Sequence, residues 1–128
     1  MNVLDENIVS SECRRLQTWS IHFRQIGIEL GRSGMKDRGE IIPLLHALRR
    51  PTFFTRDRDF YKSDLCSSNY CLVFLAVPFD EAAEFTRRFL RHRAFRTQAQ
   101  RMGRVVRVHH NGLSWWNVNS RKQEHQRW

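Results

Sequence analysis

The stretch PTFFTRDRDF at 51–60 decides how the chain reads. Its TFFT segment has the apolar character of a buried strand, and the chain passes from it directly into a burst of charge: Arg56, Asp57, Arg58 and Asp59. The amino-terminal segment repeats the pattern, since Asn2–Leu4 is a short apolar run that ends abruptly in Asp5, Glu6 and Asn7. Strands whose carboxyl ends open into polar residues are expected in a parallel sheet that carries a site along that edge.

Working outward, Ser10 or Ser11 is expected to cap a helix reaching about Trp19, and IHFRQIGI at 21–28 alternates like a second strand. Gly31 and Gly34 mark a loop. Asp37 and Glu40 have capping-box spacing, and Ile41, Ile42, Leu44, Leu45 and Leu48 supply the apolar face of a second helix. Pro43 removes a backbone donor inside it, so the helix should kink there or begin near it. YCLVFLAV at 70–77 is apolar enough for a strand covered on both faces. Asp80 is expected to cap a helix through about Arg93, and Val105 to Val118 should form a hairpin around a tight turn at Asn111-Gly112. The order predicts an α/β fold in which a mainly parallel central sheet is flanked by helices and followed by a C-terminal β-hairpin. Residues 1–128 read as a single domain, with 120–128 polar enough to fray.

Charge narrows the function. The chain carries 22 Lys+Arg against 13 Asp+Glu, a net +9, and most of the cations are arginines, whose planar fork suits phosphate oxygens. A nucleic acid is the expected partner; a generally basic surface or an acidic protein partner is the alternative. No apolar run is long enough to span a bilayer, and the start has no signal-peptide pattern, so a cytoplasmic protein with no membrane partner is expected. Cys13, Cys66 and Cys71 lack zinc-type spacing and read as reduced thiols.

In a parallel sheet Asp5, Asp57 and Asp59 should converge on the carboxyl edge, and Asp37, opening the intervening helix, can join them. Such carboxylates repel unless a hard divalent ion, Mg²⁺ or Mn²⁺, sits among them, and an ion there can activate water against a phosphodiester.

The opening VLDEN, the GMKD at 34–37 and the TRDRDF at 55–60 resemble the PIN-like proteins of the Mut7-C and DUF5615 group, over about residues 1–90. The resemblance implies a PIN-like fold and metal-dependent RNA cleavage, often as the VapC-like toxin of a toxin-antitoxin pair. It places Asp5, Asp37, Asp57 and Asp59 in the catalytic and metal-holding positions, with Glu6 and Asn7 beside them. An acidic antitoxin and a homodimer are then possible partners.

Each residue also has a plainer role open to it. Asp37 can simply cap its helix, Asp57 and Asp59 can form a turn or pair with arginines, and Glu6 points away from Asp5 if the strand is still extended there. Arg56 or Arg58 is expected to steady a phosphate. Arg87, Arg88 and Arg91 form either a solvated helix face or a ridge for RNA or an acidic partner. His109 and His110 point to opposite faces, which excludes a shared metal, and Trp115-Trp116 should place one ring in the core and one outward. The leading expectation is a metal-dependent endoribonuclease. Its alternatives are a non-catalytic nucleic-acid-binding module and a regulatory protein that serves an acidic partner.

Overall fold

The computed structural model describes residues 1–35 and 37–128, with the side chain of Asp37 outside the described residues. Seven strands form one sheet: β1 (Asn2–Leu4), β2 (Arg24–Gln25), β3 (Thr52–Thr55), β4 (Cys71–Leu75), β5 (Arg104–His109), β6 (Gly112–Asn117) and β7 (Glu124–Arg127). Their order is β2-β1-β3-β4-β5-β6-β7, parallel from β2 to β5 and antiparallel for the last two pairings.

Pairs of consecutive apolar residues build this sheet. Successive side chains on a strand point to opposite faces, so Val3 and Leu4, Phe53 and Phe54, Leu72 and Val73, and Val105 and Val106 each contribute one residue to either core. Helices α1 (Ser10–Thr18) and α3 (Ala82–Arg91) cover one face with Leu16, Phe85 and Phe89. Helix α2 (Asp37–Ala47) covers the other with Ile41 and Leu45, joined by the 3₁₀ turns Arg58–Phe60 and Ser63–Leu65, which bring in Phe60 and Leu65. Each fully buried Phe contributes roughly 1.5–3 kcal/mol relative to exposure. A short α4 (Gln98–Arg101) leads into β5. The chain leaves β1 for β2 on one side and returns to β3 on the other, so the strand order reverses at β1, and in open α/β sheets such a reversal is where a ligand crevice forms beyond the carboxyl ends.

Several boundaries differ from the sequence reading. Val9 occupies the N-cap of α1 and neither serine caps it. The second strand shrinks to two residues: Ile21 and Phe23 pack sideways against one core, and Gly27 turns the chain at φ +87° with the Glu6 carboxylate where a Cβ would sit. Helix α2 continues through Pro43 rather than starting there. The hairpin turn falls on His110 and Asn111; Gly112 instead begins β6, where a Cβ would lie 2.1 Å from the Gln126 carbonyl oxygen. The segment expected to fray carries β7, paired to β6. Both Trp115 and Trp116 are packed, one on each face, because the 3₁₀ turns cover the second face and set Tyr61 against Trp116 at 4.5 Å. Among the described residues no helix is long and apolar enough to cross a membrane.

Asp80 does not cap α3. It lies in a 3₁₀ turn, Phe79–Glu81, and α3 runs from Ala82 to Arg91 with no side-chain cap from its own N-cap residue. The acceptor comes instead from α1, where the buried Glu12 carboxylate takes the Ala83 backbone N–H at 2.9 Å and a weaker contact from Arg15 at 3.4 Å. A negative group at a helix N-terminus satisfies an orphan donor and complements the helix dipole. Glu12→Ala should therefore cost about 1–3 kcal/mol by orphaning that buried donor, whereas Glu12→Gln, which keeps an acceptor, should cost less. Urea unfolding midpoints at unchanged m would show it; equal losses in the two variants would mean that the charge, not the acceptor, matters.

Candidate functional site

Asp5 is the first residue beyond β1 and still pairs with β3, its N–H donating to the Phe54 carbonyl at 2.9 Å. That position buries its side chain, 6% exposed, at the carboxyl ends of β1 and β3, where the strand order reverses. Thr55, the last residue of β3, donates its hydroxyl to Asp5 Oδ2 at 2.6 Å and accepts the Asp57 N–H at 3.0 Å. Burial pushes the Asp5 carboxyl above its ordinary value; the Thr55 hydroxyl and the N–H groups of Asn7 and Glu6 pull it back, and the Asp57 charge adds to the rise. Asp5 and Asp57 are thus close enough to interact electrostatically, and one hydroxyl ties both to the end of β3.

Asp57 is exposed and caps the following 3₁₀ turn, its Oδ1 accepting the Asp59 N–H at 2.9 Å. Asp59 faces elsewhere. It lines a cleft with Arg38, Gly39, Ile42 and Leu65, against the first turn of α2. Asp37 opens that same helix, but the expected role of its carboxylate falls outside the described residues. Among the described residues no three His, Cys, Asp or Glu side chains come together as a metal-holding group. The structure therefore brings Asp5 and Asp57 together and leaves Asp59 to one side. Glu6 turns away from Asp5, and its carboxylate accepts the Gly34 N–H at 2.9 and 3.1 Å, which fastens the loop before α2. Asn7 is exposed beside them.

The arginines divide as well. Arg56 is fixed by its Nε donating to the Val77 carbonyl at 2.9 Å. Arg58 lines a cleft next to the pair, with Tyr61, Lys62, Phe74, Ala76 and Arg107. The arginines of α3 sit in the layer of α1, on the opposite face from α2. Arg87 pairs with Glu84 and stacks 3.6 Å over Trp19, Arg88 lies over Phe85 and Trp128, and Arg91 is exposed. Arg87 and Arg88 of that expected basic ridge are thus engaged in packing α3 against the end of α1 and the C-terminal tryptophan.

Two residues escaped the sequence reading. Thr55 was legible only as the end of a buried strand, although a hydroxyl on a strand covered on both faces must find a partner. Gln25 is buried, and its Nε2 donates to the carbonyls of Asp5, Glu6 and Ile8 at 3.1, 3.4 and 3.0 Å, while its Oε1 accepts the Cys13 thiol. It holds the loop that presents Asp5. The signal was a polar residue on the inward phase of an otherwise alternating segment.

The raised Asp5 carboxyl couples proton binding to folding. The folded state keeps that proton to higher pH than the unfolded chain, so its contribution to stability is full below the ordinary 3.8 and is lost as pH climbs through the folded value. Asp5→Asn should gain on the wild type as pH rises from the acid range toward neutrality, in melting temperatures measured with EDTA; parallel curves would refute the shift. At Asp57 the cap and the charge separate: Asp57→Asn keeps the cap and should melt near wild type, whereas Asp57→Ala should lose about 0.5–1 kcal/mol. A full loss in Asp57→Asn would show that the charge rather than the cap is structural. No protein-family model matches the chain, and neither a curated protein nor a solved structure is significantly similar to it, so the site stands on this chain's own residues.

Proposed function

We propose that this protein is a metal-dependent endoribonuclease with a PIN-like arrangement, in which Asp5 and Asp57 hold Mg²⁺ or Mn²⁺ at the carboxyl ends of β1 and β3. One observation carries the reading. In a chain with 22 Lys+Arg, the ion pairs among the described residues engage Glu12, Glu40, Glu84 and Glu81, and none engages Asp5, Asp57 or Asp59. A buried carboxylate beside a second one, neither ion-paired among the described residues, fits an external cation. Two carboxylates suffice for Mg²⁺, which keeps several waters and completes its shell with a substrate phosphate.

A divalent ion at this pair supplies charge neutralisation and Lewis-acid polarisation of a phosphodiester. The chain's own residues do the rest: Thr55 orients the Asp5 carboxylate, Gln25 fixes the loop behind it, and Arg58 steadies a phosphate beside Asp57. A second reading, a nucleic-acid-binding module without catalysis, is favoured by the described carboxylates meeting as a pair rather than as a group of three.

Cleavage of labelled RNA in Mg²⁺ or Mn²⁺ separates the readings. EDTA and Asp5→Asn should each abolish cleavage while leaving binding near wild type, and Thr55→Val, which removes only the orienting hydroxyl, should lower activity about 10–100-fold. RNA affinity should fall steeply with salt in every case. Salt-sensitive binding without metal-dependent cleavage would sink the nuclease reading and leave the binding module.

A further inference from the structure

We propose that the uncovered part of the sheet face beside the Asp5–Asp57 pair is a stacking platform for single-stranded RNA, with Phe74 as its base-stacking surface and Arg58, Lys62 and Arg107 as its phosphate contacts. This rests on the Asp5–Asp57 pair being where a phosphate of the same strand is held.

Strand register supplies the geometry. Thr55 pairs with Phe74, Phe74 with Arg107, Arg107 with Ser114 and Ser114 with His125, so one row of side chains crosses five strands on a single face. The row begins at the threonine that holds Asp5. It lies on the α2 side of the sheet, where Thr55 and Ser114 within the row are buried, so the gap in the cover falls between them, at Phe74 and Arg107. Phe74 is half-buried and Arg107 is exposed, whereas Leu72, Val73 and Leu75 are buried. An aromatic ring left open in the middle of an otherwise buried parallel strand has solvent or a ligand above it.

A cleft of about 500 Å³ lies over this point, lined by Arg58, Tyr61, Lys62, Phe74, Ala76 and Arg107. Among the described residues it holds three cations and two aromatic rings and is lined by no acid. Tyr61 forms a fixed wall: its hydroxyl meets Ser114 Oγ at 3.1 Å and accepts from the Gln123 amide, and its ring lies 4.5 Å from Trp116 and 6.3 Å from Phe74. The occupant is therefore a polyanion that also offers flat apolar faces. Single-stranded RNA has both, while a duplex keeps its base faces stacked inside.

The test is fluorescence anisotropy with a labelled oligouridylate, free and annealed to oligoadenylate, on wild type, Phe74→Leu and Arg107→Gln. The single strand should bind more tightly than the duplex. Phe74→Leu should weaken it about tenfold with an unchanged salt slope, because a stacking face is lost and no charge. Arg107→Gln, at an exposed position that the fold does not need, should reduce the salt slope by about 0.7, the increment for one phosphate contact on a single strand. Equal affinity for the duplex, wild-type affinity in Phe74→Leu, or dependence on Arg107 alone as for an acidic protein partner, overturns the platform. Cleavage assays keep the two ideas apart. Metal-dependent cleavage with an unchanged KM in Phe74→Leu removes the platform and leaves the nuclease; Phe74-dependent binding without any cleavage removes the nuclease and leaves the platform.

Discussion

Both faces of the parallel strands are covered along most of their length, and this constraint shapes everything else in the molecule. Inside such a sheet each side chain enters one of two cores, so the interior of β1, β3, β4 and β5 admits few polar groups. Polar chemistry is displaced to the strand ends. Asp5 sits one residue past the last apolar residue of β1, and Asp57 two residues past the end of β3. Because β1 lies between β2 and β3, its carboxyl end is flanked by connections that depart in opposite directions, the arrangement that favours a ligand site there in open α/β sheets.

Several of the buried polar groups fasten one element to another. β3 shows this at both ends. Thr52 accepts from the Nε of the buried Arg101 at 3.1 Å on the amino edge, and Thr55 donates to Asp5 on the carboxyl edge. Arg101 also reaches the Phe95 carbonyl at 2.9 Å, tying the turn after α3 to the sheet. Gln25 ties the loop after β1, and Glu12 ties α1 to α3. Removing any one partner strands a buried group, which costs more than the net worth of the bond itself.

These ties also explain which parts of the structure were legible in the sequence. The strands built from consecutive apolar pairs, the hairpin, and the acids at the ends of β1 and β3 follow from local pattern, because a strand buried on both faces has a local signature. Distant partners leave none. The cap of α3 comes from Glu12, seventy-one residues before Ala83, so Asp80 was the only cap that local reading offered. β7 is an edge strand whose four residues are all exposed, so it lacks the apolar alternation that marks a half-buried strand. Trp116 is packed by Tyr61, and Phe74 is left open at a gap in the cover; both depend on where distant elements lie. Asp59 follows Asp57 at a spacing that suggests a shared site in an extended chain, but the 3₁₀ turn between them sends it toward α2.

That turn also accounts for how an acidic pair persists in so basic a chain. Arg56, Asp57, Arg58 and Asp59 alternate in sign, and in an extended strand the arginines would lie together on one face and the acids on the other. Here each residue takes a separate bearing. Arg56 is anchored to the Val77 carbonyl, Asp57 is drawn to the Asp59 N–H, and Arg58 opens onto the Phe74 cleft. Neighbours in sequence are thereby kept from neutralising one another, since a turn fixed by backbone hydrogen bonds leaves their side chains little freedom to meet. The acids stay available at the strand ends and the cations line their flank, which is the division of charge a polyanion and a cation need in order to be held side by side.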